Sequence, residues 1–380
     1  MSSLNFTDAE LENLKVLAAS KGFSSTEDFV RSLADIKVRD LPTSRSDLAP
    51  THTAMLKTTY GKAILSDSFR YISSHISDSS VDLIMTSPPF GLVRKKAYGN
   101  EDADRYCEWF EPFAEQFMRV LKPTGSLVID IGGAWKRGSP TRSLYHFKLL
   151  VMLVERYGFH LAQEHYWWNP SKLPTPAEWV NIRRIRVKDA VNSVYWLSKT
   201  EFPKANNRRV LQPYSKSMKS LLQNGYKAKL RPSGHNISDK FSKDNGGSVP
   251  PNLLAVANTE SNSQYQKYCR ENGLPIHPAR YPSQLPEYFV RMLTDENDVV
   301  VDPFAGSCVT GEVCERLKRF WVCIDTCEDY LLGAEGRFES KDSLTQSKQS
   351  LYAIASPIHP SVTDDALETR LDPSGGRERA

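Results

Sequence analysis

Two short stretches carry residue types that could do chemistry. The first is Ser87-Pro88-Pro89-Phe90, which closes the apolar run "VDLIMT". Neither proline donates a backbone hydrogen bond, so a central strand cannot continue through them. The result is a rigid, donor-free corner that presents a hydroxyl and an aromatic ring, with Arg94, Lys95 and Lys96 close behind it. The second is "VVVDPFAGSCVTGEV", residues 299–313: a strand, an acid, a tight turn and a helix start. Gly306 lets the backbone turn and approach a ligand, Ser307 and Thr310 offer hydrogen bonds, and a helix N-terminus favours negative groups. The stretch lacks Gly-Lys-Ser/Thr and G-x-G-x-x-G, so it is neither of the common phosphate-binding loops. One strand later stands Asp325, at the place where an acid grips ribose hydroxyls in nucleoside-binding sheets. Its alternative role is to cap the next helix.

These stretches need strands to carry them. "GKAILSDS", "VDLIMTSPP", "SLVIDIGG", "LAQEHYWWN", "NSVYWLSKTEFP", "DVVVDPFAG" and "FWVCID" read as strands. Helical patterns lie between several of them, over 101–125, 143–159, 285–297 and 310–319. The 101–125 pattern is closed by Lys-Pro. Alternation of strand and helix predicts an α/β, doubly wound, mainly parallel sheet, with ligands outside the carboxyl ends of its strands. "TDAELENLKVLAASKG" and "SSTEDFVRSLADI" predict an N-terminal helical hairpin, which either covers the sheet edge or extends a binding surface. Residues 36–56 read as a linker and the polar stretch 339–380 as a tail.

The totals exclude more than they assign. The chain has 380 residues and a net charge of +4, with no apolar run long enough to span a membrane and no signal-peptide layout at its N-terminus. A cytoplasmic protein is the simplest reading. The six cysteines lack the paired spacing of a zinc site and read as core fillers, so no metal is expected. Charge is concentrated instead. Between Lys204 and Asn245 there are ten Lys and Arg against two acids, Asp239 and Asp244. Such a block is either a polyanion-facing surface or a solvated loop.

Together, Ser87-Pro88-Pro89-Phe90 and Asp302-Pro303-Phe304-Ala305-Gly306-Ser307 resemble the two defining motifs of the amino-methyltransferases that modify exocyclic amines of DNA bases. The catalytic motif comes first and the cofactor motif last, an order that resembles the permuted β class. The serine form resembles the cytosine-N4 type of restriction–modification systems. "RVKDAVNSVYWLSKTEFP", "RPSGHNISDKFSKDNGGSVPPNLL" and "HPARYPSQLPEYFVRMLT" extend the likeness over about residues 60–338. Cys308 and Val309 depart from the family's usual Gly and Thr, and Asp325 stands where many relatives have Glu.

The resemblance implies a Rossmann-like methyltransferase fold, S-adenosylmethionine as cofactor and double-stranded DNA as partner. It implies residues 57–200 as a catalytic half, 201–275 as an inserted target-recognition region and 276–338 as a cofactor half. Asp67 would contact the adenine. His277 and Pro278 would lie near the methionine end, with a structural turn residue as the alternative for His277. Asp302, Phe304, Gly306, Ser307, Thr310 and Asp325 would complete the cofactor site. Ser87 Oγ and the Pro88 carbonyl would accept hydrogen bonds from the target amine, held by Pro89, while the base stacks on Phe90. Arg94, Lys95, Lys96, Arg231, Ser233, His235, Lys243, Asp244 and Asn245 are the expected DNA contacts. A cytosine-C5 mechanism is not expected, because the nucleophilic Cys of C5 methyltransferases follows a proline and none of the six cysteines here does. The implied function is N4-methylation of cytosine in a short duplex site, by a monomer on DNA, in functional pairing with a restriction endonuclease. Adenine-N6 methylation is the near alternative, and a DNA-binding module that has lost catalysis is the alternative of another class.

Overall fold

The computed structural model describes residues 52–92, 102–225, 243–259 and 263–338, together with Lys15, Ser25 and Thr26. The chain divides into two compact units, Met1–His52 and Thr53–Ala380. Apart from Lys15, Ser25 and Thr26, the expected N-terminal hairpin lies outside the described residues, as does the 339–380 tail.

Among the described residues, the second unit is built on a nine-stranded sheet. Its strands are β1 (Thr53–Lys57), β2 (Gly61–Leu65), β3 (Val81–Thr86), β4 (Leu121–Ile131), β5 (His160–Trp168), β6 (Val191–Ser198), β7 (Leu253–Ala255), β8 (Val299–Asp302) and β9 (Phe320–Asp325). The spatial order is β1-β2-β9-β8-β3-β4-β6-β5-β7. From β2 to β4 the neighbours are parallel, β6 is antiparallel to both β4 and β5, and β1 turns back on β2.

Helices cover both faces. On one lie α1 (Ser68–His75), α2 (Tyr106–Val120) and α3 (Tyr145–Glu155), whose Tyr71, Phe110, Phe117 and Leu149 pack on Ile84 and Ile129. On the other lie α6 (Gln284–Leu293), α7 (Val309–Arg316) and α8 (Glu328–Ala334), whose Phe289, Val313 and Leu331 pack on Leu83, Met85 and Val300. All six residues of β3 are buried because both of its faces are covered, the expected state of a central parallel strand. Cys269, Cys308, Cys314 and Cys323 are buried as small fillers.

Several details differ from the sequence reading. The chain joins the sheet at Thr53, inside the stretch read as linker, because β1 pairs with β2. Helix α2 ends at Val120, before Lys122-Pro123, and runs straight into β4. Helix α1 follows β2 directly, capped by the Asp67 carboxylate, which accepts the Arg70 N–H at 2.8 Å. The 201–275 region contains regular structure too: α4 (Lys216–Asn224), edge strand β7 and α5 (Gln264–Glu271).

The positioning rule is simple. β3 and β8 are neighbours, but the chain leaves β3 toward β4 on one side and leaves β8 toward β9 on the other. The connections therefore diverge above β3 and β8 and leave a crevice, the usual ligand position in such sheets.

Candidate active site

The ends of β3 and β8 are tied together. Thr86, the last residue of β3, donates its hydroxyl to Asp302 Oδ1 at 2.8 Å. Ser87-Pro88-Pro89-Phe90 follows Thr86, and the Phe304–Ser307 turn follows Asp302. Both open into one cavity of about 950 Å³.

At the β3 side, Ser87 Oγ donates to Asp130 Oδ2 at 3.1 Å. Asp130 sits in β4 and is 2% exposed. It also accepts from Asn192 Nδ2 of β6, at 3.1 and 3.4 Å to its two oxygens. Burial pushes the Asp130 carboxyl up to about 6, against the pull of the Asn192 and Ser87 hydrogen bonds and of the Lys172 charge. A hydroxyl that gives its proton to Asp130 keeps its lone pairs for another donor. Phe90 packs over Gly132, where an added Cβ would lie 2.6 Å from the ring. Trp167, Asn169 and Lys172 complete this end of the wall.

At the β8 and β9 side, Gly306 turns at φ +50° and donates its N–H to Asp325 Oδ2 at 2.7 Å. Asp325 Oδ1 accepts the Cys327 N–H at 2.9 Å, so this acid organises the entry to α8 and lines the cavity as well. Burial raises its carboxyl above the ordinary range. Phe304 forms an aromatic wall with Phe113 and Trp109, at centroid distances of 5.1 and 5.7 Å. His277 packs edge-on against Tyr330 at 4.5 Å and beside Gly306. Burial, then the Arg280 and Arg337 charges, lower its imidazole to about 4, so the ring is neutral at physiological pH.

Nine of the expected site residues line this cavity: Asp67, Ser87, Pro88, Pro89, Phe90, His277, Phe304, Ser307 and Asp325. Pro278, Asp302, Gly306 and Thr310 do not. The reason is clearest for Asp302, which is buried and saturated. It accepts from Thr86, from the Phe304 N–H at 3.2 Å, from Tyr281 Oη at 3.1 Å and from Thr310 Oγ1 at 2.6 Å. Asp302 and Thr310 therefore hold the turn from behind. Burial pushes the Asp302 carboxyl up to about 6.

Lys243 and Asn245 lie on an exposed turn and do not line the cavity. The Asn245 N–H donates to Tyr214 Oη at 2.8 Å, and its amide donates to the Lys243 carbonyl at 3.2 Å. On the same turn, Asp244 Oδ1 accepts the Gly246 N–H at 2.8 Å. Arg94, Lys95, Lys96, Arg231, Ser233 and His235 lie outside the described residues.

Sequence reasoning missed Asp130, Asn192, Trp109 and Phe113. For Asp130 a signal existed: a lone acid inside the apolar strand "SLVIDI" is a buried polar residue that needs partners. It also missed the brace on the Phe304–Ser307 turn. Arg337 donates from Nε to the Ser307 carbonyl at 2.7 Å and from Nη2 to Ser307 Oγ at 3.0 Å. Its guanidinium lies 4.6 Å from the ring of Tyr265 on α5.

A nucleoside cofactor with an aliphatic arm fits this donor set. Phe304, Trp109 and Phe113 give an apolar wall for a base, Asp325 an acceptor for hydroxyls, and the neutral His277 with the Arg280 cation beside it a polar end for the arm.

The chain matches the family model described as DNA methylase over residues 81–335. It is 51% identical over 298 residues to the Type II methyltransferase M.PvuII of Proteus hauseri, covering 78% of this chain and 88% of that protein. With the Type II methyltransferase M.HpaI of Haemophilus parainfluenzae it shares 24% identity over 271 residues, covering 70% and 71%. The solved structure of PvuII DNA methyltransferase (cytosine-N4-specific) matches with a TM-score of 0.62 and 41% identity, over 79% of this chain and 94% of that one.

Proposed function

The chain belongs to the DNA methylase family, and from that membership we propose how its site works: as a cytosine-N4 DNA methyltransferase that uses S-adenosylmethionine. The observation that carries the reading is one cavity shared by the Ser87–Phe90 corner and the Phe304–Ser307 turn, with Thr86 and Asp302 fixing one against the other.

The exocyclic amine of cytosine is a poor nucleophile because its lone pair is delocalised into the ring. Two acceptors aimed at its hydrogens localise that pair on nitrogen. Ser87 Oγ is one, kept an acceptor by its hydrogen bond to Asp130, and the Pro88 carbonyl is the other. Both prolines fix these acceptors in place before the base arrives. Phe90 and Trp167 give the extruded base its apolar surroundings, and extrusion costs a few kcal/mol. When bound, the cofactor supplies a methyl group activated on a sulfonium. Phe304, Asp325 and Asp67 would hold its nucleoside end, with His277 and Ser307 toward the arm. The proton the amine must shed passes to Ser87 Oγ as the Ser87 hydroxyl proton moves to Asp130. No cysteine nucleophile and no covalent intermediate is needed.

The setting belongs to the same proposal: duplex DNA as partner, a restriction endonuclease acting on the same site, a monomer on DNA and a cytoplasmic location. No helix among the described residues is long and apolar enough to cross a membrane.

The decisive experiment incubates the protein with labelled cofactor and plasmid DNA, digests the product and identifies the nucleoside by mass spectrometry. N4-methylcytosine is expected. N6-methyladenine overturns the choice of base, and no transfer at all overturns the enzyme.

A further inference from the structure

The connection from β5 to β6, residues 169–190, is far longer than the roughly two to five residues an antiparallel hairpin needs. Its start belongs to the cavity wall, through Asn169 and Lys172. Its base is braced. Arg186 lies 4.2 Å from the Trp135 ring and donates to the Pro140 carbonyl at 2.5 Å. Asp189 pairs with Arg142 at 2.6 Å, and Lys188 donates to the Pro170 and Lys172 carbonyls at 3.2 and 3.0 Å. What the loop displays, both within that base and beyond it, is unusual. Leu173 is 75% exposed, Ile182 69%, Ile185 58% and Val187 83%. Arg184 is exposed among them at φ +55°.

A braced loop that holds apolar side chains out in water, beside cations and a catalytic cavity, is built for a partner with an apolar interior and an anionic surface. Duplex DNA opened at one base pair is such a partner, since unstacked base steps accept apolar wedges while the flanking phosphates bind Arg. We propose that the 169–190 loop enters the duplex beside the target base. Ile182, Ile185 and Val187 take up the space the extruded cytosine leaves, and Arg184 meets a flanking phosphate. This rests on the DNA methyltransferase reading.

The test compares wild type with the triple variant Ile182→Ser/Ile185→Ser/Val187→Ser. Both are assayed on a short duplex carrying the site the enzyme marks on plasmid DNA, and on the same duplex with a mismatch opposite the target cytosine. Because the three side chains are exposed, the variant should melt as wild type does. A wedge predicts a fall of about tenfold or more in kcat/KM on the matched duplex and near-wild-type transfer on the mismatch, where pairing no longer has to be broken. Unchanged transfer on the matched duplex overturns the proposal, and so does an equal loss on both duplexes. A shift from dimer to monomer on sedimentation assigns the surface to a second copy and overturns it too. Arg184→Ala should lower the salt dependence of DNA binding by about one unit of slope, and an unchanged slope removes the phosphate contact. Wild type inactive on both duplexes sinks the methyltransferase reading and takes the loop's role with it. Active wild type with an insensitive variant sinks the loop's role alone.

Discussion

Ser87 Oγ donates its one proton to Asp130 Oδ2 across 3.1 Å, between the end of β3 and the interior of β4. This direction makes the serine an acceptor toward the cavity, and it depends on Asp130 being a carboxylate. In Asp130→Asn the amide oxygen is held by the Asn192 Nδ2 donor and the NH2 faces Ser87, so the bond to Ser87 reverses and its hydroxyl proton turns toward the amine. We expect kcat to fall on the order of 10²- to 10³-fold, as when a preorganised transition-state partner is lost, with DNA affinity kept. Single-turnover methyl transfer and a filter-binding assay measure the two separately. Ser87→Ala should give the same pattern.

The pH profile follows from the same carboxyl. Asp130 is raised to about 6 by burial, so wild-type kcat should climb as pH rises through about 6 and level off above it. Asp130→Asn should lack that limb. A limb that persists in the variant would assign it to another group.

Stability should move the other way. Asp130 and Asp302 both ionise near 6 in the fold, above the ordinary carboxylate value of 3.8. Between roughly pH 4 and 6 the folded state therefore holds more protons than the unfolded state, and this contribution to stability is lost as pH rises through that window. Asp130→Asn removes its share. The variant's stability relative to wild type should thus improve from pH 4 to pH 7, read from urea midpoints at each pH.

Gly306 and His277 should be coupled. At φ +50° an alanine pays roughly 1 kcal/mol in backbone strain, and its Cβ would stand 2.9 Å from His277 Cε1 and Nε2. Gly306→Ala should weaken cofactor binding by about tenfold or more, because the turn also presents its N–H to Asp325. In a His277→Ala background the added loss should be smaller. Calorimetric titration of the four proteins gives the cycle, and additivity within about 0.5 kcal/mol would show that the ring is not the obstacle.

What could be read beforehand follows a physical divide. β3, β8 and β9 were legible because each is a β-branched run that stops at a motif, and the double proline marks its own corner. Helix α1 was not, being short and weakly apolar, though Asp67 before Ser68 was a usable cap. The sequence made Asp302 look like a ligand group, since nothing local shows that Thr86 and Tyr281, 216 and 21 positions away, saturate its oxygens. Asp130 and Asn192 share one network from two strands, and such pairing has no periodic signature. Helix α5, inside the expected 201–275 region, has no local signature of its role either: only the fold brings Tyr265 against Arg337, which holds Ser307.

Cys308 is the departure that bears on whether the site is intact. The motif expected from the sequence carries Gly there, and the backbone at this position is one that favours Gly. Cys308 starts α7 at φ 54° and ψ 39°, a left-handed position that costs an L-residue roughly 1 kcal/mol. Its side chain is fully buried in the core, so the thiol recovers a comparable amount by leaving water, about 1 kcal/mol. Cys308→Gly relieves the first and forfeits the second. Stability should change by less than about 1 kcal/mol, and turnover should stay within about twofold, because the Cys308 N–H still closes the turn on the Ala305 carbonyl at 2.8 Å. Cys308→Val keeps the burial but puts a β-branched residue into the left-handed well, and should cost at least about 2 kcal/mol. Thermal melts and methyl transfer on both variants check this. An inactive wild type restored to turnover by Cys308→Gly would instead show a site disabled at this position, the outcome that favours a DNA-binding module without catalysis.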